Sequence, residues 1–220
     1  MNRRNFTLVE LLVVVGIIAI LAGLLTPAVI GAQQQGRITQ ARSDMATLSM
    51  AFKGLDSTYG KMMQKTAAGY CLGSNTFTAS GSGSYVDISP LESGNDPSDE
   101  YCLAIAELSD PGNEGFTSSN PVSLNKRKVK FLDPRPEYDP GASCTAAANK
   151  KNTWLDPWGK PYHIRINVDY TEQIVDPSDT SKKIAAKVIL WSSGPDADDS
   201  STAADDKNKD NVCSWKDSWL

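Results

Sequence analysis

The residues most able to do chemistry sit in an acidic run, Asp205-Asp206-Lys207-Asn208-Lys209-Asp210-Asn211. Asp206-x-Asn208-x-Asp210 puts oxygen donors at alternate residues, the spacing of a looped calcium site. Ca²⁺ takes roughly six to eight oxygens from carboxylates, amides and main-chain carbonyls. Asn211 can adopt the left-handed turn usually filled by Gly, and Asp217 stands at the twelfth position, where an EF-hand carries Glu. No helical pattern flanks the run, so an acidic, solvated loop competes with a metal site. Cys71, Cys102, Cys144 and Cys213 are too widely spaced for zinc, which takes Cys/His pairs a few residues apart. His163 is the sole histidine. No P-loop, GxGxxG, HExxH or Gly-x-Ser-x-Gly is present to supply a cofactor fingerprint or a nucleophile.

The chain that must position these groups has two contrasting parts. From Leu11 to Leu25 every residue is apolar or Gly, whereas most of the chain beyond is polar and rich in Gly, Ser, Asp and Pro. The net charge of −4 is split as well: Arg3, Arg4 and Glu10 leave +1 on residues 1–36, and the remaining 20 basic and 25 acidic side chains give −5. That acidic exterior argues against nucleic-acid binding, which needs clustered Lys and Arg. Lys126-Arg127-Lys128 with Lys130 is short and reads as a solvated edge.

Phe6 to Leu25 is long enough to cross a bilayer core of about 30 Å as a helix rising about 1.5 Å per residue. Arg3 and Arg4 precede it, and no charge comes after it until Arg37. The positive-inside tendency then leaves the N-terminus in the cytoplasm and the bulk of the chain outside. A cleaved secretory signal would have a shorter apolar run and a small-x-small site after it. Arg3-Arg4-Asn5-Phe6 also has the look of a twin-arginine export signal, which would make the chain an exported periplasmic enzyme or binding protein. Glu10 fits neither reading. A carboxylate in a membrane span costs on the order of 2.5–3.5 kcal/mol at the centre and less near an end, so it ordinarily has a partner and a purpose.

Asn5-Phe6-Thr7-Leu8-Val9-Glu10-Leu11-Leu12 resembles the cleavage and methylation motif of type IV prepilins and type II secretion pseudopilins. The resemblance implies that a prepilin peptidase cuts between Asn5 and Phe6 and that Phe6 becomes N-methylated. Asn5 stands where the family strongly prefers Gly, and Pro27 sits where the family places a helix-kinking proline. The resemblance further implies assembly: Glu10 of one subunit pairs with the Phe6 amine of its neighbour as both leave the bilayer. Two buried charges that are costly apart become tolerable together.

Beyond Pro27 the apolar residues Ile38, Ala41, Met45, Leu48, Phe52, Leu55 and Tyr59 alternate spacings of 3 and 4, one stripe of an amphipathic helix. Gly60 is a plausible stop. The stripe is too short for a sustained coiled coil, so packing on the chain's own sheet is expected. A kink or a melted turn is expected between Pro27 and Gly36.

In the middle of the chain, residues 69–85 read as loop, Tyr101 to Leu108 as a short helix, and Val129 to Leu132 as a strand entering the Asp133-Pro134-Arg135-Pro136 turn. Farther on, Tyr162, Ile164, Ile166 and Val168 alternate as a strand with one buried face. His163 lies off that face, as a surface or packed residue. A second strand, Ala185 to Trp191, lies one loop away and suits an antiparallel pair.

Asp156-Pro157-Trp158-Gly159-Lys160-Pro161-Tyr162 and Trp191-Ser192-Ser193-Gly194-Pro195-Asp196 resemble the turn-plus-strand and calcium-loop entry of type II secretion major pseudopilins. The implied Ca²⁺ site joins Asp196 to Asp206, Asn208 and Asp210. An even cysteine count behind a membrane-targeting segment suggests up to two disulfides in an oxidising compartment, with all three pairings open.

The expected fold is α+β, a pilin fold with a long N-terminal helix on a small antiparallel sheet. The expected organisation is a leader at 1–5, a filament-core helix at 6–28, an amphipathic stem at 29–60 and a head at 61–220. By resemblance the subunit sits in the bacterial inner membrane, single-pass with its head in the periplasm, before entering an extracytoplasmic filament. Its implied partners are copies of itself, other pilin-like subunits, the inner-membrane assembly platform and the prepilin peptidase.

Overall fold

A computed structural model of the chain describes residues 8–67, 69–72, 75–88, 99–109, 124–133, 154–196 and 209–216. Helix α1 spans Leu8–Tyr59. Residues up to Thr39 form one compact unit and those from Gln40 a second.

In the first unit α1 is apolar all round from Leu11 to Leu25, and its large apolar side chains from Leu8 to Ile30 are 49–79 % exposed. The expected melted turn is not found, because the helix continues through Pro27 to Gly36. Proline removes one donor, whereas unwinding a turn would strand several backbone groups at once in apolar surroundings. Thr26 Oγ1 donates to the Ala22 carbonyl at 2.7 Å, satisfying its own hydroxyl within the helix.

In the second unit the predicted stripe is the core: Ala41, Met45, Leu48, Phe52 and Leu55 are all fully buried. The helix ends where the sequence places its stop. Gly60 has φ +71° and its N–H donates to the Asp56 carbonyl at 2.7 Å, a left-handed C-terminal cap that a side chain would strain.

Among the described residues, nine strands and a second helix come after α1: β1 Gln64–Thr66, β2 Gly69–Leu72, β3 Asn75–Phe77, β4 Tyr85–Ile88, α2 Asp99–Ser109, β5 His163–Asn167, β6 Gln173–Asp176, β7 Asp179–Ala185, β8 Val188–Ser192 and β9 Val212–Cys213. They form an antiparallel sheet β1-β2-β3, a second sheet β4-β5-β8-β9 and a hairpin β6–β7. This is the expected α+β arrangement of a long N-terminal helix followed by small antiparallel sheets, consistent with a pilin fold.

Register explains the main sheet. Ile164 faces Ile88 and Leu190, and Ile166 faces Val86 and Val188, so these six share one face and are all 5 % exposed or less. Tyr162, in phase with them, donates its hydroxyl to Asp44 of α1 at 3.1 Å, so this face looks onto the helix. Burial, and then the nearby Asp44 carboxylate, push the Tyr162 hydroxyl well above the usual phenol range. On the other face Ile189, Trp191 and Cys213 pack with Ile174 of β6. His163 stacks flat on Trp191 at 4.8 Å, as expected of a packed residue off the apolar stripe.

Four readings of the middle and head need correction. Residues 69–85 are not all loop, since β2, β3 and a 3-10 turn at Gly81–Gly83 lie there. Val129 to Leu132 is no strand: the Phe131 and Leu132 N–H groups both donate to the Leu108 carbonyl at the end of α2, so the segment caps a helix. The connection between β5 and β8 holds the whole β6–β7 hairpin. Ala185 ends β7, and β8 begins only at Val188.

Asn125 ties these parts together. Its Oδ1 accepts from the Tyr59 hydroxyl at 2.8 Å and the Val129 N–H at 2.9 Å. Its Nδ2 donates to the carbonyls of Glu107 at 3.2 Å and Val129 at 2.6 Å. One buried amide thus joins the end of α1, the last turn of α2 and the following loop.

Candidate assembly helix and acidic loop

Asn5 and Phe6, the expected processing site, lie outside the described residues. Glu10 lies in the first turn of α1 and is exposed. Between it and Arg37 the helix carries no charge. A helix apolar on every side has no face suited to water and calls for lipid or other helices around it. It is the one helix among the described residues long and apolar enough to cross a membrane.

The entry to the acidic loop is fixed by the turn before β5. Asp156 accepts the Trp158 N–H at 3.0 Å and the Lys160 N–H at 2.8 Å on Oδ1, closing an Asx-type turn. Its Oδ2 accepts the Ser192 hydroxyl at 2.5 Å. Burial raises the Asp156 carboxyl above its ordinary range, opposed by the Ser192 hydroxyl and the turn N–H groups. Ser192 Oγ also accepts the Gly194 N–H at 3.1 Å. The start of the acidic loop is therefore held from below by a carboxylate the sequence places 36 residues earlier. Its signal is the Asp-Pro-x-Gly turn, which by itself gives the carboxylate no role.

Asp196 and Asp210, both expected in the metal set, are brought together: the Asp196 N–H donates to Asp210 Oδ2 at 3.1 Å. Burial first, and the Asp196 charge also, raise the Asp210 carboxyl above its ordinary value. Gly194 permits the approach. Its φ is +73°, and a Cβ there would lie 2.4 Å from the Asp210 carbonyl oxygen. Replacing Gly194 with Ala is expected to separate the two segments and cost about 1–2 kcal/mol from backbone strain alone, more with the clash. Urea melts of the variant and the parent would measure it. Asp206, Asn208 and Asp217 lie outside the described residues. No group of three His, Cys, Asp or Glu side chains able to hold a metal occurs among the described residues. The Asp210 carboxylate, held by the Asp196 N–H, would supply only part of a Ca²⁺ shell, which needs further oxygens.

Cys71 on β2, Cys102 on α2 and Cys213 on β9 are all buried, and no disulfide joins the three to one another. Cys144 lies outside the described residues. Two other features were not foreseen. Arg165, 9 % exposed, forks onto Asp87 at 2.5 and 2.9 Å, donates to the Val175 carbonyl and lies 4.1 Å over the Tyr85 ring. Lys187 bridges Asp56 at 2.9 Å and Glu172 at 3.2 Å. The sequence shows the charges but not the strand pairing and helix packing that bring them together.

Residues 1–26 match the family described as the Prokaryotic N-terminal methylation motif. The match supports a type IV pilin-like protein. Together with the apolar helix it fits a membrane-anchored pilin, and the motif points to a structural subunit that is processed by prepilin peptidase and assembles with other pilin subunits. No curated protein and no solved structure matches the chain.

Proposed function

We propose that this chain is a structural subunit of a type IV pilus-like or type II secretion pseudopilus filament, assembled through α1 after cleavage between Asn5 and Phe6. The observation that carries the reading is the methylation motif at the head of a helix whose apolar surface is exposed on every side. In a filament those side chains pack on neighbouring copies, and Glu10 meets the methylated Phe6 amine of the adjacent subunit. Each added subunit then satisfies one charge pair, which favours a single axial register. Orientation follows the positive-inside tendency, with the head in the periplasm.

Expression in cells with a prepilin peptidase and an assembly platform, followed by shearing and electron microscopy, tests this. Sheared fibres that react with antibody to the head are expected. Protein recovered only as a membrane-bound monomer would contradict the reading.

Within this class the head motifs favour the major pseudopilin of type II secretion, with Asp196, Asp206, Asn208 and Asp210 contributing to a Ca²⁺ site. A bound ion would relieve the crowding of Asp196 against Asp210. Chelation with EGTA is expected to lower the melting temperature of the full chain in detergent by several degrees, as ligand linkage requires. Asp210→Ala should abolish that response while leaving the calcium-free melting temperature close to the parent's. An unchanged melt on chelation would remove calcium from the mechanism.

A further inference from the structure

The described cysteines occupy two separate regions of the head. Cys71 and Cys102 are 1 % and 2 % exposed, and α2 packs against both β2 and β4. Cys71 sits across from Thr76 of β3, and β3 packs beside β4. Both cysteines therefore lie at the β4 edge of the main sheet. Helix α2 is also on the α1 side of that sheet, since Asn125 links its last turn to Tyr59.

Cys213 lies at the opposite edge, because β9 is the far strand in the order β4-β5-β8-β9. Three strand spacings of about 4.8 Å put roughly 14 Å between those edges. A disulfide requires Cα atoms within about 7 Å. Cys213 also belongs to the cluster of Ile174, Ile189 and Trp191, on the face turned away from α1. The sheet itself therefore separates it from Cys71 and Cys102.

We propose that Cys71 and Cys102 form a disulfide in the mature head, and that neither pairs with Cys213. The proposal rests on the reading that the head faces an oxidising compartment. It reduces the three possible two-bridge patterns to one, in which Cys144 is left for Cys213. The oxidant is a disulfide-donating oxidoreductase, or a low-molecular-weight disulfide, acting before the core closes. One cysteine thiolate attacks the donor disulfide, forming a mixed disulfide and releasing one donor thiolate. The second cysteine thiolate then displaces the other donor thiolate. Two electrons pass to the donor and two protons leave the cysteines. The bridge fastens α2 to β2 and closes a loop that contains β3, the 3-10 turn and β4.

The test is disulfide mapping of the full chain in detergent micelles. The protein is refolded in glutathione redox buffer, unfolded in the presence of a thiol-blocking reagent without reductant, digested and weighed. The expected product is a Cys71 peptide joined to a Cys102 peptide, lighter by two hydrogens than the separate thiols. Reduction should lower the melting temperature by about 10 °C, the scale for closing a loop of this length. A link from Cys71 or Cys102 to Cys213 or Cys144, or recovery of both as blocked thiols, would overturn the pairing. Protein blocked directly in cells reports separately on the compartment. Blocked thiols there alongside the linked pair in buffer would overturn the periplasmic placement and leave the pairing standing.

Discussion

Glu10→Leu is expected to abolish filaments while leaving the subunit in the membrane at normal levels. The substitution makes α1 more apolar at a position that is already exposed, so insertion improves rather than suffers. The proposed partner of the Phe6 amine on the adjacent subunit is lost. Breaking a buried charge pair by deleting one member costs about 3–5 kcal/mol, because the other charge stays buried and uncompensated. At about 1.4 kcal/mol per decade, each subunit addition loses a factor of at least about a hundred. Fibre yield after shearing, divided by the membrane-retained pool, measures this directly. The melting temperature of the head should not change, since Glu10 belongs to the unit that ends at Thr39. Glu10→Leu fibres at the parent's yield would remove the charge pair from the mechanism.

The second large effect is on stability. Asn125→Ala deletes four hydrogen bonds made by one side chain, to the Tyr59 hydroxyl, the Val129 N–H and the carbonyls of Glu107 and Val129. Asn125 is 1 % exposed, so water does not readily replace the lost partners. At about 1 kcal/mol per bond, with a further penalty for groups left buried and unsatisfied, the loss is at least about 4 kcal/mol. That corresponds to a fall of roughly 10 °C in melting temperature for a chain of this size. Thermal melts followed by circular dichroism would show it. Asn125→Asp is also expected to destabilise: it keeps both acceptor contacts but loses both Nδ2 donations and places a second carboxylate beside buried Glu107. A melting temperature within a degree or two of the parent for Asn125→Ala would mean that the amide does not hold α1, α2 and the following loop together.

The parts legible in the sequence are those in which one periodicity runs long enough to be unambiguous. The stripe predicted the buried face of α1 from Ala41 to Leu55, while its ends at Ile38 and Tyr59 are half-buried and buried Ala51 lies off it; Gly60 marked the end of the helix. The alternation from Tyr162 to Val168 gave the face of β5 that meets the helix. Strands β1 to β3 were hidden because each has only three or four residues, with only Ala67-Ala68 and Gly73-Ser74 between them. The β6–β7 hairpin did leave a signal, the Asp176-Pro177-Ser178-Asp179 turn, which fell inside a stretch read as a connection. Val129 to Leu132 has strand-like residues, but its N–H groups are taken by Asn125 and by the end of α2, a tertiary choice that no local pattern encodes. Of the acidic loop, resemblance set Asp196 with Asp206, Asn208 and Asp210; the Asp196 N–H meets the Asp210 carboxylate, and the other two lie outside the described residues. The supporting carboxylate of Asp156 could not be read, because its partner Ser192 is distant in sequence.

Filament assembly through α1 depends on the processing of the first residues, and one measurement reaches that directly. Membrane-extracted protein, analysed by intact mass and by fragmentation of its terminal peptide, should begin at N-methylated Phe6 and retain the whole apolar helix. A chain that instead begins beyond Ala28, with that stretch removed, would contradict filament assembly through α1 and identify the segment as a cleaved export signal.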